Sequence, residues 1–241
     1  MLSLFPGIGL LDLAFEEQGF CVVRGPDLLW GGDIQRFTPP TGKFDGVIGG
    51  PPCQAFSRLR HMVEQNGYAV APDLIPEFNR VVAAAAPAWF LMENVNGAYE
   101  PIVPGYIVRS EMVADHWCGG ETSRLRRFSF GTRDARALRI ETLALHRPDP
   151  VQAALASGGS RAVPVAIGGS GKRKPQGLMR GRGYKTNRDF RQHVRLQGLP
   201  EDFDLPGFTQ TAKIKAIGNG VPMAMGRAVA RAVKVAVSAV M

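Results

Sequence analysis

The sequence predicts an α/β fold: a doubly wound, mostly parallel sheet with helices on both faces and a small, irregular second domain across a basic cleft. Three observations predict it. The chain opens as strand, glycine turn, helix, strand. Two later apolar runs stop abruptly at residues that carry chemistry, as strands do at the ligand-binding edge of a parallel sheet. A long basic, glycine-rich stretch then gives way to an amphipathic helix at the end of the sequence.

Residues 1–4 are short and apolar and stop at Phe5-Pro6-Gly7-Ile8-Gly9. Residues 10–18 place Leu10, Leu11, Leu13 and Ala14 against Asp12, Glu16 and Glu17 at helical spacing, and Gly19 ends the run. Residues 21–23 read as a second strand, and residues 44–49 as a buried third that runs into a glycine pair and a proline pair. A helix is expected over residues 74–86, an apolar strand over 89–92 ending at Glu93-Asn94, and a short strand over 128–130. From about Arg133 to Asn187 periodicity is weak and basic residues gather among glycines. Regular structure returns near Phe190, and an amphipathic helix starts at about Met223. The expected division is residues 1–132 plus 208–241 as one domain and 133–207 as the second.

The 241 residues suit one large domain, or one domain with a small appendage. No run is apolar enough for a membrane span, and the first residues lack the layout of a signal peptide. A net charge of +8 favours a polyanionic partner, nucleic acid foremost. Cys21, Cys53 and Cys118 have neither metal-ligand nor redox spacing, which argues against zinc and disulfides and for a reducing cytoplasm.

The glycine turn after the first strand lets a ligand approach the backbone, although a plain tight turn reads equally well. Asp27 follows the second strand, where such folds place an acid for ribose hydroxyls. Asp33 can accept from an adenine amino group, with Leu28 and Ile34 on either side of the ring; each acid alone also suits a turn or a cap. Gly49-Gly50-Pro51-Pro52-Cys53-Gln54 delivers a thiol to the ligand edge of the sheet, and a thiolate is the strongest protein nucleophile near neutral pH. Glu93 ends another strand, either as a solvated acid or as a proton donor to a ring nitrogen. Arg124 and Arg126 alternate on one strand face and can reach one site, unless they form a solvated basic edge.

Taken in order, these motifs resemble the DNA cytosine C5-methyltransferase family, in a compact phage or bacterial form. Phe5-Pro6-Gly7-Ile8-Gly9 is similar to its cofactor loop, Pro51-Pro52-Cys53-Gln54 to its nucleophile motif and Glu93-Asn94-Val95 to its acid motif. Arg124-Leu125-Arg126 is similar to its paired arginines, and Arg195-Leu196-Gln197-Gly198-Leu199-Pro200 to the segment after target recognition. Gly218-Asn219-Gly220-Val221-Pro222 resembles its closing motif.

The resemblance implies a Rossmann-like, S-adenosylmethionine-dependent enzyme that methylates C5 of a flipped cytosine in a specific duplex sequence. Cys53 attacks C6, Glu93 hydrogen-bonds N3, Arg126 holds base and loop, and Arg124, Pro52 and Asn94 support them. Phe5, Gly7, Ile8, Gly9, Asp27, Leu28, Asp33, Ile34, Pro51, Leu74, Asn219 and Val221 would bind the cofactor. Gln54, Ser57, Arg58, Lys172, Arg173, Lys174, Arg180 and Arg182 would face nucleic acid. No metal is implied. The expected protein is a cytoplasmic monomer of a phage or of a restriction–modification system, with any endonuclease on a separate chain. A tRNA cytosine methyltransferase and a catalytically decayed DNA-binding protein of the same fold are the alternatives. Three departures stand out: Asp27 where the family has glutamate, a very short stretch from Asp27 to Asp33 that leaves no room for the usual helix, and Thr122 where the family has glutamine.

Overall fold

The computed structural model describes residues 1–52, 72–143 and 189–238. Six strands form one sheet in the order β2-β1-β3-β4-β6-β5. They are β1 (Leu2–Leu4), β2 (Val23–Arg24), β3 (Gly46–Gly49), β4 (Trp89–Asn94), β5 (Ile107–Ala114) and β6 (Leu125–Thr132). The first four are mutually parallel; β6 runs antiparallel to both β4 and β5. The mostly parallel, doubly wound sheet is therefore present, with an antiparallel pair at one edge. The chain leaves β1 outward to β2 and returns on its other side as β3. The C-terminal ends of β1 and β3 thus flank a reversal of strand order, where open α/β sheets bind ligands.

Alternation along β4 divides the core. Trp89 and Leu91 face α1 (Leu10–Glu16) and the last helix (Met223–Ser238), packing with Phe15, Phe128, Phe130, Met225 and Val229. Phe90 and Met92 face the opposite layer, where α2 (Ile75–Ala85) contributes Phe78, Val81 and Val82. Strand residues two apart share a face, so one apolar run serves both layers. Helices α3 (Phe190–Leu196) and α4 (Gln210–Asn219) precede the last helix, α5. Phe190, Val194, Ile217 and Met223 join Leu10 and Ala14 in a third buried cluster. The described chain after residue 189 therefore packs against the opening helix.

Two features differ from the sequence expectation. The short strand expected over 128–130 is eight residues long, and β5 pairs with it along its whole length. β5 carries exposed Ile107, Arg109 and Glu111 on its solvent side, a mixed composition that hides an edge strand in the sequence. The second strand covers only Val23–Arg24. Between β2 and β3 stand two 3₁₀ turns, Leu28–Trp30 and Ile34–Arg36, and no α-helix, as the short Asp27–Asp33 stretch requires. Among the described residues, no helix is long and apolar enough to cross a membrane.

Candidate active site

A cavity of about 830 Å³ opens along the C-terminal ends of β1, β3 and β4. It lies within the size range of small-molecule and cofactor sites, roughly 300–1,000 Å³. Its lining includes Phe5, Gly7, Ile8, Asp27, Leu28, Asp33, Ile34, Pro51, Pro52, Leu74, Glu93, Arg124, Arg126, Asn219 and Val221. Most of the residues singled out in the sequence thus meet in one space. Gly9 and Asn94 are not on its wall. Cys53, Gln54, Ser57, Arg58, Lys172, Arg173, Lys174, Arg180 and Arg182 lie outside the described residues.

The glycine turn is held from several sides. Gly7 and Gly9 have φ of 55° and 79°, and Phe5, which has a side chain, has φ of 54°. A bulky residue in that region carries about 1–3 kcal/mol of strain, a frequent mark of a functional turn. The Gly7 N–H donates to Asp27 Oδ2 at 2.8 Å, and the Trp30 indole N–H donates to the Gly7 carbonyl at 2.6 Å. The other Asp27 oxygen accepts from the Leu29 N–H at 2.7 Å. Asp33 caps the second 3₁₀ turn through the Gln35 N–H at 2.9 Å. Leu28 is 75% exposed whereas Ile34 is buried against the α2 layer, so the two contribute unequal apolar walls. Beneath the turn, buried Asp12 accepts from Ser3 Oγ at 2.5 Å and pairs with Arg24 Nε at 3.0 Å. Burial pushes its carboxyl above the ordinary value, against these two partners.

At the other end, Arg126 Nε stands 2.8 Å from Glu93 Oε1 with both side chains largely buried. Asn94 lies behind them: its amide donates to the Pro51 carbonyl at 3.3 Å and its oxygen accepts from the Val95 N–H at 2.8 Å. Asn94 therefore ties the end of β4 to the proline turn that precedes Cys53. Arg124 points elsewhere. Its guanidinium donates to the carbonyls of Gly218 at 2.7 Å and Asn219 at 3.2 Å, which holds the end of α4 over the cavity. Gln197 grips the same segment from behind, donating to the carbonyls of Ile217 at 2.5 Å and Gly220 at 3.0 Å. Thr122, the departure from glutamine, donates through Oγ1 to buried Asp115 at 2.7 Å and through its backbone at 3.0 Å.

Several site residues escaped the sequence reading. Phe208, Ala212, Lys215 and Ala216 line the cavity from one face of α4 and its approach, the face that leads on to Asn219. Their spacing of three and four is the signal that marks that face. Trp30 packs edge-on to Phe208 with ring centroids 5.8 Å apart, joining the glycine turn to this roof. Among the described residues, no group of three or more His, Cys, Asp or Glu side chains is placed to hold a metal ion.

The chain is similar to known proteins in sequence and in fold. Residues 31–101 match the family model for C-5 cytosine-specific DNA methylases. The Type II methyltransferase M.HgiGI of Herpetosiphon aurantiacus is 34% identical over 118 residues, covering 40% of this chain and 90% of the relative. M.HgiDI of the same organism is 31% identical over 163 residues, covering 55% of this chain and 52% of the relative. M.NgoPII of Neisseria gonorrhoeae is 32% identical over 118 residues, covering 40% of this chain and 33% of the relative. The chain thus matches only about a third to a half of the length of several of these relatives. Among solved structures, one described as a DNA modification methyltransferase encoded within an E. coli prophage has a TM-score of 0.64 at 18% identity, with 98% of this chain and 99% of that one covered. S. pombe Dnmt2 has a TM-score of 0.57 at 15% identity over 99% of this chain and 98% of that one. These two likenesses are of fold. With 34% identity to a curated relative over 90% of that relative's length, the chain belongs to the C-5 cytosine-specific DNA methylase family.

Proposed function

We propose that this chain methylates C5 of a cytosine flipped out of a specific duplex DNA sequence, with S-adenosylmethionine as methyl donor. The observation that carries the reading is the continuity of one cavity. The glycine turn and its acids occupy one end, and the Glu93–Arg126 pair beside the proline turn occupies the other.

The residues present fit that cofactor. Among the described residues other than its chain neighbours, no atom lies within 4 Å of the place where a side chain on Gly7 would begin, so a ligand can lie against the turn. Asp27 uses one lone pair on each oxygen for a backbone N–H and keeps others for ribose hydroxyls. Asp33 is suited to an adenine amine, with Phe5, Leu28, Ile34 and Leu74 as apolar walls. Ile8 and Pro51 bound the methionyl side, and Asn219 and Val221 close over it. When bound, S-adenosylmethionine supplies an electrophilic methyl group.

The protein's own chemistry begins at Cys53, the residue after cavity-lining Pro52. Its thiolate adds to C6 of the cytosine. Glu93 hydrogen-bonds N3 and stabilises the electron density that moves onto the ring. Arg126 keeps the Glu93 carboxyl at the site, and Asn94 fixes the turn that presents the thiol. C5, made nucleophilic, accepts the methyl group. A base then takes the C5 proton, the C5–C6 double bond reforms and the Cys53 thiolate leaves. The second domain, with Lys172, Arg173, Lys174, Arg180 and Arg182, supplies phosphate contacts together with Gln54, Ser57 and Arg58 of the thiol segment. DNA binding should therefore weaken steeply with salt.

The test is transfer of labelled methyl from S-adenosylmethionine to mixed-sequence duplex DNA and, separately, to tRNA, with Cys53→Ala alongside. The reading requires label at cytosine C5 in DNA with the wild type only. Label confined to tRNA would reassign the substrate, and label retained by Cys53→Ala would overturn the nucleophile.

A further inference from the structure

Three cations line the cavity among the described residues: Arg124, Arg126 and Lys215. Two are committed. The Arg124 guanidinium holds the Gly218 and Asn219 carbonyls, and Arg126 pairs with Glu93. Lys215 is exposed on the cavity-facing side of α4, one turn before Asn219. No carboxylate of the described residues pairs with it, although its neighbour Lys213 pairs with Asp204.

The direction of the cofactor follows from the acids. Asp27 sits beside Gly7, and Asp33, Ile34 and Leu74 mark the adenine end. The amino-acid end must then extend the opposite way from the glycine turn, toward Glu93 and Pro51, where the methyl group meets the base. Its carboxylate lies on the side of the cavity that Glu93 lines, and it needs a positive partner. α1 has seven residues, too short to supply a strong field from its first turn. Resting on the function proposed above, we infer that Lys215 is a cofactor-binding residue whose ammonium receives the carboxylate of the methionyl end.

Binding of two ligands separates this role from others. S-adenosylhomocysteine carries the amino-acid end; 5′-methylthioadenosine keeps the adenosine and sulfur but lacks it. Calorimetry on the folded wild type, Lys215→Ala and Lys215→Arg should show S-adenosylhomocysteine weakened about tenfold in Lys215→Ala, the scale of one charge-assisted hydrogen bond. Lys215→Arg should recover most of that loss, and methylthioadenosine should bind all three proteins equally. An equal loss for both ligands would overturn the inference. So would unchanged S-adenosylhomocysteine binding with weakened DNA binding, which would place Lys215 on a backbone phosphate. Failure of the wild type to bind either ligand would instead strike at the cofactor assignment itself.

Discussion

Arg124→Met isolates the link between the sheet and the closing motif. Methionine keeps an unbranched apolar stem and removes the guanidinium. The Gly218 and Asn219 carbonyls lose donors at 2.7 and 3.2 Å. A hydrogen bond to a charged group contributes about 1.5–3 kcal/mol, so two amount to roughly 3–6 kcal/mol. Removing a buried charge returns part of that through lower desolvation, leaving a net loss of about 3 kcal/mol. A domain of this size loses about 2–4 °C in Tm per kcal/mol, so the expected drop is about 6–12 °C. Melting with and without S-adenosylhomocysteine is the assay. Because Asn219 and Val221 hang on the freed segment, the ligand should also raise the Tm of Arg124→Met less than that of the wild type. A Tm within 2 °C of wild type, with methyl transfer abolished, would refute the reasoning. It would mean that the guanidinium acts on substrate and not on the backbone.

Glu93→Gln should retain S-adenosylhomocysteine binding and lose about a hundredfold or more in kcat, the scale of a positioned acid; single-turnover methyl transfer reads it. Asp115, whose carboxyl burial raises from its ordinary value of 3.8, binds its proton more tightly folded than unfolded. Stability should therefore fall as pH rises through 3.8 toward the raised native value and then level off; in urea titrations across pH, Asp115→Asn should flatten this decline. Gly220→Ala would bring a methyl to 2.5 Å from Leu10 Cδ1 in the third core cluster. Overpacking of that kind costs about 1–3 kcal/mol, visible as a lower urea midpoint with an unchanged slope.

The legible part of this site is the part built at strand ends. β3 and β4 are buried on both faces, so they read as apolar runs, and the first polar or proline residues after them are by construction at the ligand edge. Glu93 and Pro51-Pro52 were readable for that reason. Arg124 and Arg126 were readable as a pair, but not as two different devices: one bonds a carbonyl 94 residues away and the other meets Glu93 across neighbouring strands. Sequence spacing places both on one face and says nothing of the partner. The Gln197 clamp on Ile217 and Gly220 was hidden by the same long-range pairing. Lys215 was hidden differently, since an exposed helical lysine is the most ordinary of surface residues until the cavity on its other side is known.

The short path from β2 to β3 is where local reading and tertiary structure meet most closely. Too few residues separate Asp27 from Asp33 for a covering helix; one 3₁₀ turn stands between them and a second follows Asp33. Yet the turn that such a helix would help to support is fixed at both polar groups of one residue. Asp27 takes the Gly7 N–H, and Trp30 supplies a donor to the Gly7 carbonyl while its ring meets Phe208. A helix would brace the glycine turn through side-chain packing; here two hydrogen bonds and one aromatic contact do so from three residues apart. Trp30 is 59% exposed, so its hydrogen bond competes with water and its hold on the turn is weaker than a buried one. The turn is therefore tuned by an exposed indole next to a strained Phe5. For the proposed function, loss of the shape needed for the cofactor, more than loss of the proposed nucleophile or acid, is the consequence to expect from change in this segment.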